Sequence, residues 1–187
     1  VSHLRYLALA MPNLEEEVTF LTKYWGLTEV HREGETVWLG TEGSPEPYQI
    51  RLRQDDKRID LIGFGAQSRE DVDALYSDLE KRGVKLIHEP KELQQFEGGY
   101  GFRFFDIDGR TLEVSTDFQL KQSRKILERE PIPVKLSHVV VNTSNLAATT
   151  QWYIDNLDFS ISDTLVHPAR GLSLIHISEP TRQAESS

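Results

Sequence analysis

The chain contains no cysteine, which excludes disulfides, zinc knuckles, iron–sulfur clusters and thiol nucleophiles at once. Imidazoles and carboxylates remain as the groups able to hold a metal or move a proton. There are six histidines, in different settings. His138 stands in LSHVVV, an apolar run of strand length; taken alone, such a histidine fits a satisfied core residue better than a ligand. His31 and His88 lie among Glu, Arg and Lys, as on solvated sheet faces, and His3 lies near the terminus. His167 precedes Pro168, where a place in an active-site mouth is open to it. Glu15, Glu16 and Glu17 open a helix, where negative charge suits the macrodipole without any metal. The glycine-rich GGYG at 98–101 precedes a strand rather than a helix N-terminus, so it is not a phosphate cradle.

The elements that must carry these groups follow one repeated pattern. Residues 4–10 read as a strand. Asn13 then offers an N-cap with Glu16 as capping-box partner. Leu14, Val18, Leu21 and Trp25 follow at helical spacing and Gly26 supplies a stop. Strands are expected at 27–32, 36–40 and 48–53. The order then repeats: strand 59–66, a helix capped by Ser68 and ended by Gly83, and strands 84–88, 100–105 and 111–115, the last two joined by the turn DIDGR with Gly109 suited to positive φ. A third copy starts with strand 137–141, cap Asn145, a helix through Trp152 and Leu157, and strand 159–166. An offset of 132 residues pairs Asn13 with Asn145, Phe20 with Trp152, Gly26 with Asp158 and Tyr6 with His138. Two βαβββ units and the start of a third therefore dominate the fold reading. Residues 117–133 are polar, carry two prolines and read as a short helix plus linker.

Composition bounds the function. The 187 residues allow one ordinary domain, or one domain plus part of another. With 38% hydrophobic and 27% charged residues the chain can bury a core. A net charge of −9 lacks the basic footprint of a nucleic-acid binder and the Lys/Arg clusters that hold proteins on anionic membranes. No apolar run nears the roughly 20 residues of a spanning helix, and no secretory signal is visible, so a cytoplasmic location is expected. The chain begins with Val1 rather than Met, which points to a few missing leading residues.

Residues 172–182, LSLIHISEPTR, look like the in-frame translation of a transposase-type sequencing adapter. On that reading natural sequence ends near Gly171, and His176 and Glu179 carry no functional information. The tail 172–187 should make few core contacts and little secondary structure, although LSLIHI could pair as an edge strand.

The repeated unit, with an opening like LSHVVVNTSNLAATTQWYIDNLDF and an ending like DIDGRTLEV, resembles the vicinal oxygen chelate superfamily, and within it the two-domain type I extradiol ring-cleavage dioxygenases. The resemblance implies an α+β fold of tandem βαβββ modules, two complete and a third partial, with paired modules forming a cupped sheet. It implies a first, non-catalytic domain at 1–116, a linker at 117–134, the start of a catalytic domain at 135–171, and the adapter-like tail at 172–187. Family members bind metal through one His from each opening strand of a pair and a Glu after D-x-x-G. Carried over, the first pair has Tyr6 and Leu61 where the histidines belong and keeps only Glu113; the three should lie close together on the inner wall of the cup without metal, Glu113 reading as a polar residue at the sheet rim. His138 falls at the first-ligand position of the third unit and is expected to face into a cup; its partner ligands would lie in a fourth unit. The implied cofactor is Fe(II), with Mn as the alternative, and none is expected on this chain. The implied reaction is cleavage of a small aromatic diol by O₂ in a homo-oligomeric intact enzyme, this chain itself being inactive. The alternatives are a metal-free ligand-binding module of the same fold, a glyoxalase-type isomerase and a dioxygenase acting on a keto acid.

Overall fold

Residues 1–116 fold as two copies of one βαβββ pattern. The computed structural model describes residues 1–167 and 172–178, with backbone only for 165–167 and 172–178. The first copy is β1 (His3–Met11), α1 (Leu14–Trp25), β2 (Thr28–Glu33), β3 (Thr36–Gly40) and β4 (Ile50–Gln54). The second is β5 (Arg58–Gly65), α2 (Arg69–Lys81), β6 (Leu86–Glu92), β7 (Tyr100–Phe105) and β8 (Thr111–Thr116). All eight strands form one sheet in the order β2-β3-β4-β1-β5-β8-β7-β6. Each opening strand pairs parallel with the last strand of its own unit, and the two opening strands pair antiparallel at the centre. The halves are thus related by an approximate two-fold, and the sheet curls with its helices on the outside.

Period-two alternation sorts the side chains. Under α1, Leu14, Val18 and Leu21 pack on Val37, Leu39 and Leu52. Under α2, Val72 and Leu79 pack on Phe102, Phe104, Leu112 and Val114. Each such burial is worth about 1.5–3 kcal/mol. The opposite, concave face carries Tyr6, Ala8, Trp38, Tyr48 and Leu61. The helix boundaries follow local chemistry. Gly26 closes α1 at φ 70°, and Ser68 Oγ accepts from the Asp71 amide at the start of α2. Asn13 instead donates to the Glu16 carboxylate, side chain to side chain, at 3.1 Å and caps no backbone amide, so the expected capping box does not form.

The third unit departs from expectation at its opening strand. The helix α3 (Leu146–Leu157) forms, with Asn145 accepting from the Ala148 amide, and so does β9 (Ser160–His167). Residues 137–141 form no strand; no ladder partner for them exists among the described residues. The short helix expected within 117–133 is also absent. That segment is an extended strap whose backbone is satisfied by the first cup, with Lys121 N donating to Pro45 O and Arg124 N to Glu42 O. Arg124 also pairs with Glu42 and Glu130. Partners of this kind replace helical bonds, and Pro131 and Pro133 disfavour a helix there.

Two contacts dock α3 on the second unit. Tyr153, Leu157 and Phe159 join the apolar core beneath Phe64 and Phe104. The DIDGR turn then grips the helix. Tyr153 OH donates to buried Asp106 Oδ2 at 3.0 Å, and Thr149 Oγ1 to Asp108 Oδ2 at 3.0 Å. Arg110 bridges both carboxylates at 2.6 and 2.9 Å and also donates to the Asn142 carbonyl. In the tail, β10 (Leu172–Ser178) pairs antiparallel with β9, the edge pairing that the apolar run LSLIHI left open. The side chains of Leu174, Ile175, His176 and His167, and all of Glu179, lie outside the described residues.

Candidate functional site

The centre of the first cup lies where β1, β5, β8 and β7 bring their concave positions together. A register shift between Leu4 and Tyr6 in the β1–β5 ladder turns both Arg5 and Tyr6 to this side. Tyr6 is fully buried, and its ring lies so close to Gly63 that a Cβ there would overlap it, which explains the glycine in LIGF. Leu61 packs beside Tyr6. Glu113 and Ser115 point into the same space from β8, and Arg103 of β7 stands directly across from Glu113 in the ladder.

The structure brings Tyr6, Leu61 and Glu113 together on the inner wall, as the resemblance implies. It corrects the environment of Glu113, which is at 0% exposure inside the cup rather than at a rim. Glu113 Oε1 accepts from Tyr6 OH at 3.0 Å, Ser115 Oγ at 3.3 Å and Gln95 Nε2 at 3.3 Å; Oε2 accepts from Arg103 Nε at 2.8 Å. Gln95 in turn accepts from Arg103 Nη2 at 2.8 Å. Ser115 also receives Arg5 Nη1 at 2.5 Å, and Arg5 pairs with Glu46, which holds His3 at 2.8 Å. A buried carboxylate needs such partners, since desolvating it alone is costly.

The electrostatics follow from this packing. Burial, reinforced by the Glu113 charge, holds the Tyr6 phenol well above its ordinary range. The same two causes push Tyr48 up to about 12. Burial works against the charge of Arg103, yet Glu113 beside it keeps the guanidinium above its usual value. Both tyrosines are therefore neutral at ordinary pH, and Arg103 keeps its positive charge beside Glu113.

These residues do not fit a divalent metal. Leu61 offers no donor atom, the Tyr6 hydroxyl is held protonated, and both Glu113 oxygens are engaged. Arg103 supplies the positive charge that a metal would bring. His138 is elsewhere: it is exposed, on no strand, with its Nδ1 3.1 Å from Ser137 Oγ. The expectation that it faces into a cup is not met, because the strand that would aim it has no partner here. Among the described residues no group of three His, Asp or Glu side chains could hold a metal ion.

Several residues of the cup were not singled out from the sequence. Arg103 carried a usable signal, the lone charge in YGFRFF, at the alternation position that faces Glu113. Gln95 and Phe96 come from the loop 93–99 and had none. His31, expected on a solvated face, stacks on Phe96 with centroids 4.3 Å apart and lies 5.1 Å from Trp38. His3, expected near a loose terminus, is fixed within β1 by Glu46. His88 is half-buried on β6 and bonds the Glu89 carbonyl at 2.8 Å.

Known proteins with this architecture place the geometry in context. The chain is 28% identical over 169 residues to a manganese-dependent 2,3-dihydroxybiphenyl 1,2-dioxygenase of Geobacillus genomosp. 3, covering 84% of this chain and 54% of that protein. It is 26% identical over 178 residues to a metapyrocatechase of Geobacillus stearothermophilus, covering 88% and 54%. The Mn(II)-bound glyoxalase from Novosphingobium aromaticivorans superposes with a TM-score of 0.85 at 37% identity, over 89% of this chain and 56% of that one. The chain thus spans about half the length of the relatives it matches. Residues 3–114, the two complete units, match the family description over more than half of the sequence, and the chain belongs to the Glyoxalase/Bleomycin resistance protein/Dioxygenase superfamily.

Proposed function

We propose that this chain is the non-catalytic cup and the opening of the catalytic cup of an extradiol dioxygenase, which cleaves a small aromatic diol with O₂ at a divalent metal. The observation that carries the reading is the ordered repeat: His138 stands 132 residues after Tyr6, at the first-ligand position of a third unit. Relatives named for ring cleavage align with most of this chain over about half of their own length. In this reading the first cup has exchanged its metal for the Arg103–Glu113 pair and serves as a scaffold. The DIDGR turn docks α3, and through it the segment bearing His138. His138 would be a ligand, with Fe(II) or Mn(II) as the metal, and the chemistry would need further residues that the described ones do not supply. The intact enzyme would be a cytoplasmic homo-oligomer.

A second reading, a glyoxalase-type isomerase, draws on the 37% identity to the Mn(II)-bound glyoxalase. Both are tested by assaying the 187-residue chain beside a form extended with its downstream genomic sequence, each with Fe(II) or Mn(II). Under air, catechol and 2,3-dihydroxybiphenyl report ring opening through the absorbance of the open-chain product. A 2-oxoaldehyde–thiol hemithioacetal reports isomerisation. Ring opening by the extended form alone, lost in His138→Ala, is the expected result. Turnover by the 187-residue chain refutes the half-site reading. A folded, metal-loaded extended form that isomerises but opens no ring replaces the dioxygenase by the isomerase.

A further inference from the structure

The concave face of the first cup carries recognition chemistry that its internal network leaves unused. Arg103 is matched by Glu113, Arg5 by Glu46, and Arg53 by Asp55 and Asp60. Arg51 is not matched. It stands on β4 opposite Ala8 of β1 and Trp38 of β3, which both face the cup, while its neighbours Ile50 and Leu52 face the α1 core. It is half-buried, and among the described residues it has no ion pair or hydrogen bond. Beside it the Trp38 indole Nε1 is buried with no acceptor. Leaving such a donor unmade costs about 1–3 kcal/mol, so it marks where an acceptor belongs.

The rings around these donors form a box, and one wall comes from outside the sheet. Phe96 lies flat on His31 at 9° and 4.3 Å, edge-on to Trp38 at 5.9 Å and tilted to Tyr48 at 6.2 Å. It belongs to the loop 93–99, whose own backbone bonds are Leu93 N to Gly99 O and Gly98 N to Gln95 O. Glu97 and Gly99 sit at positive φ, 48° and 70°, so the loop bends sharply to deliver the ring. Phe96 is itself half-buried. A planar ring of similar size could therefore exchange for it without disturbing the sheet.

We propose that the first cup binds a small aromatic monoanion, an aryl carboxylate, whose ring replaces Phe96 against His31, Trp38 and Tyr48 and whose carboxylate accepts from Trp38 Nε1 and Arg51. The charge selects the ligand. Arg103 and Glu113 cancel, so Arg51 is one unmatched positive charge, balanced by one carboxylate and not by a neutral diol. The site is separate from the proposed ring cleavage and does not depend on it.

The test is a titration of the 187-residue chain with benzoate, read on the ¹⁵N–¹H signal of the Trp38 indole, assigned through Trp38→Phe. We expect a saturable shift with benzoate and none with benzyl alcohol. Arg51→Gln should weaken binding about tenfold, with Arg51→Lys retaining part of it. Phe96→Ala, which vacates the ring position, should tighten it by a comparable factor. The absence of a saturable shift in both the wild type and Phe96→Ala overturns the proposal. So does benzyl alcohol binding as tightly as benzoate, or an affinity unchanged in a folded Arg51→Gln.

Discussion

The first and third units begin from matching local signals and end differently. Both helices start after an asparagine, Asn13 or Asn145, and both end in a left-handed residue, Gly26 at φ 70° or Asp158 at φ 57°. Both then close with the same bond, Leu27 N to Leu21 O and Phe159 N to Tyr153 O. The opening strands do not match. β1 is clasped between β4 and β5 and buries Tyr6, whereas residues 136–141 form no strand and leave His138 exposed. A helix closes its hydrogen bonds within itself, while a strand must borrow its partners. What separates the two histidine-position residues is therefore not their local sequence but the presence of a mate.

The largest test of this contrast is Arg103→Ala. It leaves Glu113 charged, buried and short of its cation, and should lower global stability by about 3–5 kcal/mol in urea unfolding. Adding Glu113→Gln should recover part of that loss; no recovery would mean that Arg103 acts by packing alone. The next concerns the clamp that holds the third unit on the second. Tyr153→Phe removes a bond to a charged acceptor and should cost about 1.5–3 kcal/mol, read as faster amide exchange in α3 with α1 unchanged. The same clamp should weaken in acid. Although burial raises it, hydrogen bonds from Thr143 and Thr149 and the Arg110 charge hold the Asp108 carboxyl below its ordinary value. Its contribution is thus present above the unfolded value near 4 and lost as pH falls through the lower folded one. Asp108→Asn should abolish that part of the pH dependence of α3 protection. The smallest effect belongs to His138→Ala. An exposed side chain on no element should change stability by no more than about 0.5 kcal/mol. Fe(II) affinity of the chain, measured by calorimetry, should also be unchanged. A clear loss of metal would show that His138 already finds co-ligands here.

Much of the fold was legible because it rests on short-range rules. The β3 and β7 boundaries, the αL stop at Gly26 and the Ser68 cap follow from alternation, helical spacing and capping chemistry. The juxtaposition of Tyr6, Leu61 and Glu113 was implied by the family resemblance, which sets these positions of paired units on one inner wall. The strap was misread as part helix because its backbone partners, Glu42 and Pro45, lie some eighty residues earlier. His31 was misread because its charged neighbours in sequence say nothing about Phe96, which arrives from another unit.

By itself, then, the sequence determined the repeat, the helices with their caps, and the absence of imidazoles at Tyr6 and Leu61 of the first cup. Each of these is encoded within about a dozen residues, or by comparing one stretch with another. Only the tertiary structure decided that Glu113 is a locked internal ion rather than a rim carboxylate, that the DIDGR turn grips α3, and that Arg51 is left without a counter-charge. Those outcomes depend on which side chains meet across strands and loops far apart in the chain. Burial then turns such meetings into strong constraints, because a charge removed from water must find its partner inside the fold.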